Sequence, residues 1–215
     1  MHRPNCPDWR TVPLPERMRG LPTDHRGYPI PANILRDEAG VYHFIINDEN
    51  KRQEQIKYQN CAICDNPLQG EFWFVGGPLS GLLEAGAYID TAQHYECVTY
   101  ALKVCPYLAT RPYKRPDPDK VIERVAKTSE QQIFVDPTMT PGQPELFLLV
   151  GATQFGVILD EDGPYPNHVK YVKPTKVIRY EAWLDGVKQD KLLSALLKYC
   201  SEDTLTQLRE AGRID

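Results

Sequence analysis

The sequence predicts an α+β fold made of a metal-organised N-terminal module and a C-terminal αβ subdomain. Three observations point there. Two ligand-type pairs, Cys61-x2-Cys64 and His94-x2-Cys97, flank an aromatic, strand-like segment. Short runs of strand character alternate with runs of helical periodicity along the chain. The stretch RPYKRPDPDK at 111–120 separates the halves, because its prolines and charges cannot fill a core. The expected organisation is an extended region and zinc-binding module over 1–110, a basic, proline-rich linker over 111–127 and the αβ subdomain over 128–215.

Each element has a local reason. The first 40 residues read as extended chain with turns, since LPTDHRGYPIPANI packs three prolines and a glycine together. VYHFII at 41–46 is strand-like, and Asn47 or Asp48 can cap a polar helix through ENKRQEQIKYQ. EFWFV at 71–75 is an aromatic strand followed by a GGPLSG loop. A second short strand at 87–89 completes a hairpin and leads to Asp90 and Thr91. Either can cap a helix at 92–104 that stops before Pro106. Val98, Ala101, Leu102 and Cys105 recur along it at helical spacing. Past the linker, LFLLVGATQFGVIL reads as a buried β segment, or as a pair of strands broken at Gly151. KVIRYEAWL alternates in part, and Asp185-Gly186 marks a turn. Residues 191–200 place Leu192, Leu193, Leu196 and Leu197 on one helical stripe. Ser201 can cap a last helix holding Leu205 and Leu208.

Bulk properties narrow the function. A length of 215 residues suits one domain or two small ones with a core. Nineteen prolines imply many turns and short helices. A net charge of −4 gives no global field toward nucleic acid or an anionic membrane. No apolar run approaches the roughly 18 residues of a membrane span. The start, MHRPNCPDWRTVPLPERMRG, has no apolar core of a secretory signal. The expected compartment is therefore a reducing cytoplasm, where six cysteines argue for thiols or metal ligands over disulfides.

The two pairs supply the chemistry. A C-x2-C turn presents two thiolates to one ion, and Asp65-Asn66 behind it suits the left-handed backbone such a turn needs. Residues three apart in a helix share a face, so His94 and Cys97 point the same way. Cys61, Cys64, His94 and Cys97 make a Cys3His set, a closed tetrahedral zinc site. Thiolate softness favours zinc over calcium or magnesium. Four buried, metal-free residues are the plainer alternative, disfavoured because two ordered pairs are harder to reach by chance than a lone C-x2-C. Cys105 lies about 16 Å along a helix from His94, and reads as a core thiol, as does Cys200.

Knuckle, β-hairpin and a helix opening with two ligands together resemble the treble-clef zinc finger, over CAICDNPL through HYECVTYAL. The wider pattern LPTDHRGYPIP, CAIC, H-x2-C and CPYLA is similar to small uncharacterised zinc-binding proteins of phages and bacteria. The first resemblance implies a treble-clef-like zinc module; the second implies no particular function.

Catalytic readings are weaker. His94-Tyr95-Glu96-Cys97 contains H-x-E, as in zinc deaminases, but there the C-x-x-C comes afterwards. A filled tetrahedron leaves no position for water, so Glu96 reads as a first-turn acid facing the helix dipole. A nuclease of the His-metal type would draw on Asp24-His25 or His43, neither of which lies between the ligand pairs. The GGPLSG loop has no phosphate-loop lysine, and Ser80 has no histidine base near it in sequence. No catalytic or organic-cofactor residue is assigned.

Two surfaces remain. Lys103, Arg111, Lys114, Arg115, Lys120, Arg124 and Lys127 form a basic stretch interleaved with Tyr107 and Tyr113, which can track a nucleic-acid backbone or be a solvated linker. The 128–168 stretch is acidic, and suits a protein-docking face or internal pairing. Phe72, Trp73 and Phe74 are consecutive, so either one faces a partner or the strand is buried on both sides. The expectation is a non-catalytic zinc-binding protein whose structural Zn2+ orders a recognition surface for a protein or nucleic-acid partner, regulatory in character. The alternative is a metal-dependent nuclease or other small hydrolase.

Overall fold

The computed structural model describes residues 8–113, 143–163 and 166–215. In chain order it contains β1 (Ile34–Arg36), β2 (Tyr42–Asn47), α1 (Glu49–Tyr58), β3 (Phe72–Gly76), α2 (Pro78–Leu82), α3 (Tyr95–Val104) and α4 (Pro106–Ala109). There follow β4 (Phe147–Leu159), β5 (Val169–Leu184), β6 (Val187–Lys188), α5 (Leu192–Tyr199) and α6 (Glu202–Glu210). The fold is α+β. β1 and β2 pair with each other, and β3-β4-β5-β6 form an antiparallel sheet. The edge strand β3 thus comes from before the basic segment, and its partner β4 from after it. The linker expected at 111–127 lies outside the described residues from position 114 onward.

β4 and β5 are long, and two environments divide them. The first half of β4 is buried, while from Thr153 to Leu159 only Phe155 is even half-covered. The inner half packs under the helices, and the outer half runs on as a two-stranded ribbon. β4 is one strand through Gly151, not two broken there. The glycine has a different role: a Cβ on it would meet the Trp73 ring at 2.7 Å. Phe72, Trp73 and Phe74 are all buried, so β3 is covered on both faces. Trp73 lies against Tyr95, while Phe72 and Phe74 pack on Phe155.

Local signals hold where capping chemistry is explicit. The Asp48 side chain accepts from Lys51 N at 3.0 Å to open α1, and Gln59 closes it in the left-handed region at φ 53°. Ser201 caps α6, which buries Leu205 and Leu208. Asp185 and Gly186, with φ 47° and 77°, form the tight turn between β5 and β6.

Other expectations are corrected. The helix expected from position 92 begins at Tyr95, because residues 92 and 93 are extended and bonded elsewhere. The expected hairpin strand at 87–89 is reduced to a bridge from Tyr88 to Val172 of β5. GGPLSG does open a helix, the one-turn α2, with Gly77 as its cap and Pro78 at the first position. β1 has no counterpart in the sequence reading. On α5, Leu196 is buried but Leu193 and Leu197 are exposed, since the helix meets the core along a narrower stripe than its leucines cover.

The buried face of α1 is polar, with Glu49, Arg52 and Gln55 nearly or fully buried beside Ile56. Arg52 is wholly buried, and four acceptors satisfy it. Nη1 donates to Glu49 Oε1 at 2.9 Å and to the Val169 carbonyl at 2.8 Å. Nη2 donates to the Lys170 carbonyl at 2.7 Å, and Nε to the Ile89 carbonyl at 2.7 Å. Gln53 exchanges hydrogen bonds with the Val169 backbone, both at 3.0 Å. One guanidinium therefore fastens α1 to the start of β5 and to the chain entering α3. Arg52→Met should cost about 3–5 kcal/mol, because it leaves Glu49 buried without its guanidinium partner and takes a donor from the Ile89 and Lys170 carbonyls, while Val169 keeps Gln53; urea unfolding at constant metal loading measures it. Gly151→Ala should cost roughly 1–3 kcal/mol in the same assay, through displacement of Trp73.

Candidate metal centre

Cys61 and Cys64 lie in a turn held from several sides. Cys61 N donates to the Asn66 carbonyl at 2.9 Å, and Asp65 N to the Cys61 carbonyl at 2.9 Å. Asp65 takes the left-handed backbone, φ 60°, that the sequence called for behind the turn. From α1, Gln55 donates to the Cys61 carbonyl and to Asp65 Oδ1, each at 3.2 Å, and Lys51 pairs with the other Asp65 oxygen. From the N-terminal side, Ala32 N bonds the Ile63 carbonyl at 2.9 Å. The turn is thus rigid before any ion is considered.

The second pair reaches the first through the extended residues 92–93. Ala62 N donates to the Ala92 carbonyl at 3.1 Å, and Gln93 exchanges both backbone bonds with Trp73 at 2.9 and 3.1 Å. His94 is then the N-cap of α3, and Cys97 is its third residue. The spacing still places both on one side, and Cys97 sits at the positive end of the helix, which favours a thiolate.

Cys61, Cys64, His94 and Cys97 come together. Their ligand atoms all lie within 4.8 Å of one another, and the three cysteines are buried. Such a cluster could bind a metal ion. Cys64 Sγ stands 3.4 Å from His94 Nδ1, about the edge of a tetrahedron whose sulfur and nitrogen lie at roughly 2.3 and 2.0 Å from zinc. His94 Nε2 faces the Pro67 carbonyl at 3.1 Å. A proton there leaves Nδ1 as the free lone pair, the usual outer support of a ligating histidine. Arg17 Nη1 lies 2.6 Å from the same Nε2, and its Nε pairs with Glu96. With Nδ1 turned to an ion, Pro67 takes the Nε2 proton and the guanidinium keeps Glu96.

The sulfurs perturb one another. Burial first, and then Cys64, push the Cys61 thiol up to about 11. Contacts with Cys61 and Cys64 push Cys97 up as well. Cys64 accepts from Cys61, then Cys97, then Asn66, and is held well below the ordinary thiol range. Three sulfurs this close cannot all be anionic without a cation among them. Donors already aimed at sulfur include the His94 backbone N, 3.4 Å from Cys61 Sγ.

The remaining candidates lie elsewhere. Cys105 is outside the cluster, and both it and Cys200 are only partly buried, not core thiols in full. Burial and the adjacent Glu145 push Cys200 up to about 11. Glu96 is half-exposed and tied to Arg17. His25 sits exposed in a turn where Asp24 pairs with Arg26, and His43 bonds Asp37 at 2.8 Å on β2. Neither histidine belongs to the cluster. Sequence reasoning missed Arg17, Pro67 and Gln55; only the polar character of α1 hinted at the last. Compared with protein-family models, with curated proteins and with solved structures, the chain finds no match.

Asn66 tests the outer support, since it donates to Cys64 and also to the Arg17 carbonyl at 3.3 Å. Asn66→Ala should leave one metal per chain but weaken its retention by about tenfold, as read by competition with a chromophoric chelator.

Proposed function

We propose that this is a non-catalytic zinc protein, in which one structural Zn2+ held by Cys61, Cys64, His94 and Cys97 orders a recognition surface for a macromolecular partner. The observation that carries the reading is the convergence of three sulfurs and one imidazole to within 4.8 Å in a buried, pre-bonded frame. Among the described residues this is the one cluster of that kind. Bound zinc neutralises the thiolates and cross-links the turn to α3. The knuckle, the aromatic β3 and a helix opening on two ligands support a treble-clef-like module, with the Trp73–Gln93 bridge in place of a full hairpin. Four donors fill a tetrahedron, and Glu96 is engaged by Arg17, which supports a structural over a hydrolytic role. The basic stretch expected as partner surface contributes only Lys103 and Arg111 to the described residues, and Arg111 pairs with Asp185 at 3.1 Å. No helix of the described residues is long and apolar enough to cross a membrane.

Metal analysis of purified protein should give one zinc per chain. Cys61→Ser and Cys97→Ser should lose the metal together with cooperative unfolding. Cobalt substitution should give the absorption of a tetrahedral thiolate site, absent from both variants. A Cys97→Ser protein that is metal-free yet melts like the parent would remove the structural-zinc reading.

A further inference from the structure

Strand β5 differs in charge from the rest of the molecule. β4 carries no charged residue, whereas β5 carries Lys170, Lys173, Lys176 and Arg179 against one acid, Glu181. The whole chain is at −4. Lys170 pairs with Asp160 at 3.2 Å and Arg179 with Glu181 at 3.5 Å. Lys173 and Lys176 have no acidic partner among the described residues. Around them, Val157, Ile158, Ile178 and Tyr180 are 40–52% exposed. A basic strand with interleaved apolar and aromatic surface thus lies on an acidic protein.

A cleft of about 190 Å³ opens beside this strand. Lys173, Pro174, Val177 and Tyr180 line one side, α2 and the loop after it line another, and Arg213 closes it. Glu84 is the only acid in the lining. The cleft is smaller than the roughly 300–1,000 Å³ of a whole-ligand pocket, and offers one flat aromatic flanked by two cations. That is the pairing used to hold an unpaired base and its phosphates.

The open edge of β5 argues against an added peptide strand. Between Lys173 and Arg179 no described strand pairs with it. Pro174 removes a donor there, Lys176 is in the left-handed region at φ 48°, and the register shifts opposite Gly151–Ala152. Prolines, lysines and bulges blunt an edge against strand addition. The positive charge remains to be matched, and a polyanion with exposed bases matches it together with Tyr180.

We propose that the exposed middle of β5 and the cleft beside it bind single-stranded nucleic acid, with Lys173, Lys176 and Arg213 on phosphates and Tyr180 under a base. This rests on the reading of the protein as a recognition module and names its partner class. The test is fluorescence anisotropy of the zinc-loaded full chain with labelled single-stranded DNA, single-stranded RNA and duplex DNA. Binding to single-stranded DNA or RNA should weaken as salt rises, and the preferred strand identifies the sugar. The triple variant Lys173→Gln, Lys176→Gln, Arg213→Gln should bind roughly tenfold or more weakly and flatten the salt slope by about two, at about 0.7 per phosphate contact. Tyr180→Ala should cost about tenfold with the slope unchanged. Metal content and melting temperature are measured on every variant, to show that the fold is kept.

Absence of binding to either single strand at about 50 mM salt would overturn the proposal. So would parent-like affinity of the triple variant, or tighter binding to duplex. The two readings fail separately: parent protein that binds oligonucleotide but holds no zinc sinks the metal reading and leaves the β5 reading. Stoichiometric zinc without oligonucleotide binding does the reverse.

Discussion

Three buried sulfurs and an imidazole drawn to one point constrain the rest of this structure. Sulfur ligands lie far apart in sequence, so the chain between Cys64 and His94 must leave the turn and return to it. It leaves as β3 and returns as the two extended residues ahead of α3, which bond on one side to Ala62 and on the other to Trp73. The frame therefore joins the turn, the sheet edge and the helix start in one hydrogen-bonded strip. The Cys and His side chains gather because that strip leaves them nowhere else to go, and thiols crowded this closely could hold a cation.

A second fastening is polar and lies on the opposite side of α1. Gln55 and Lys51 brace the turn, whereas Arg52 and Gln53 hold the beginning of β5. A short helix with almost no apolar face is held here because Arg52, Glu49 and Gln55 each make at least one buried hydrogen bond that would be costly to lose, although Glu49 Oε2 and Gln55 Oε1 stay unpaired. The helix acts as a bracket between the cysteine turn and the start of β5.

The ribbon then follows from what β4 and β5 lack. The inner half of β4 is packed by β3 and α2, but its outer half outruns that cover, and on β5 the uncovered part is the middle, 175–180. Phe155 is the last side chain of β4 that still reaches β3, through its edge-on contacts with Phe72 and Phe74. Beyond it the strands stay paired and β4 faces solvent, while on β5 Val172 is still fully buried and bridged to Tyr88. On β5 the exposed run is 175–180, opposite the middle of β4, and it carries Lys176, Arg179 and Tyr180; α2 and Arg213 supply the wall that makes a cleft with Lys173 and Tyr180.

The sequence by itself determined the grouping of Cys61, Cys64, His94 and Cys97, the α+β class and the elements with explicit local chemistry. Cys61-x2-Cys64 and His94-x2-Cys97 were legible because ligand spacing is a local property, and so were the Asp48 and Ser201 caps and the Asp185-Gly186 turn. It did not show that β3 belongs to the same sheet as β4, that α3 starts only at Tyr95, or that Leu193 and Leu197 stay exposed. Those depend on partners distant in the chain: Gln93 is extended because Trp73 pairs with it, and Gly151 is required because the Trp73 ring lies across it. Arg52 shows the limit most clearly. In sequence it is one charge on a polar helix; only the tertiary structure places three carbonyls around it, because long-range backbone contacts leave no trace in local pattern.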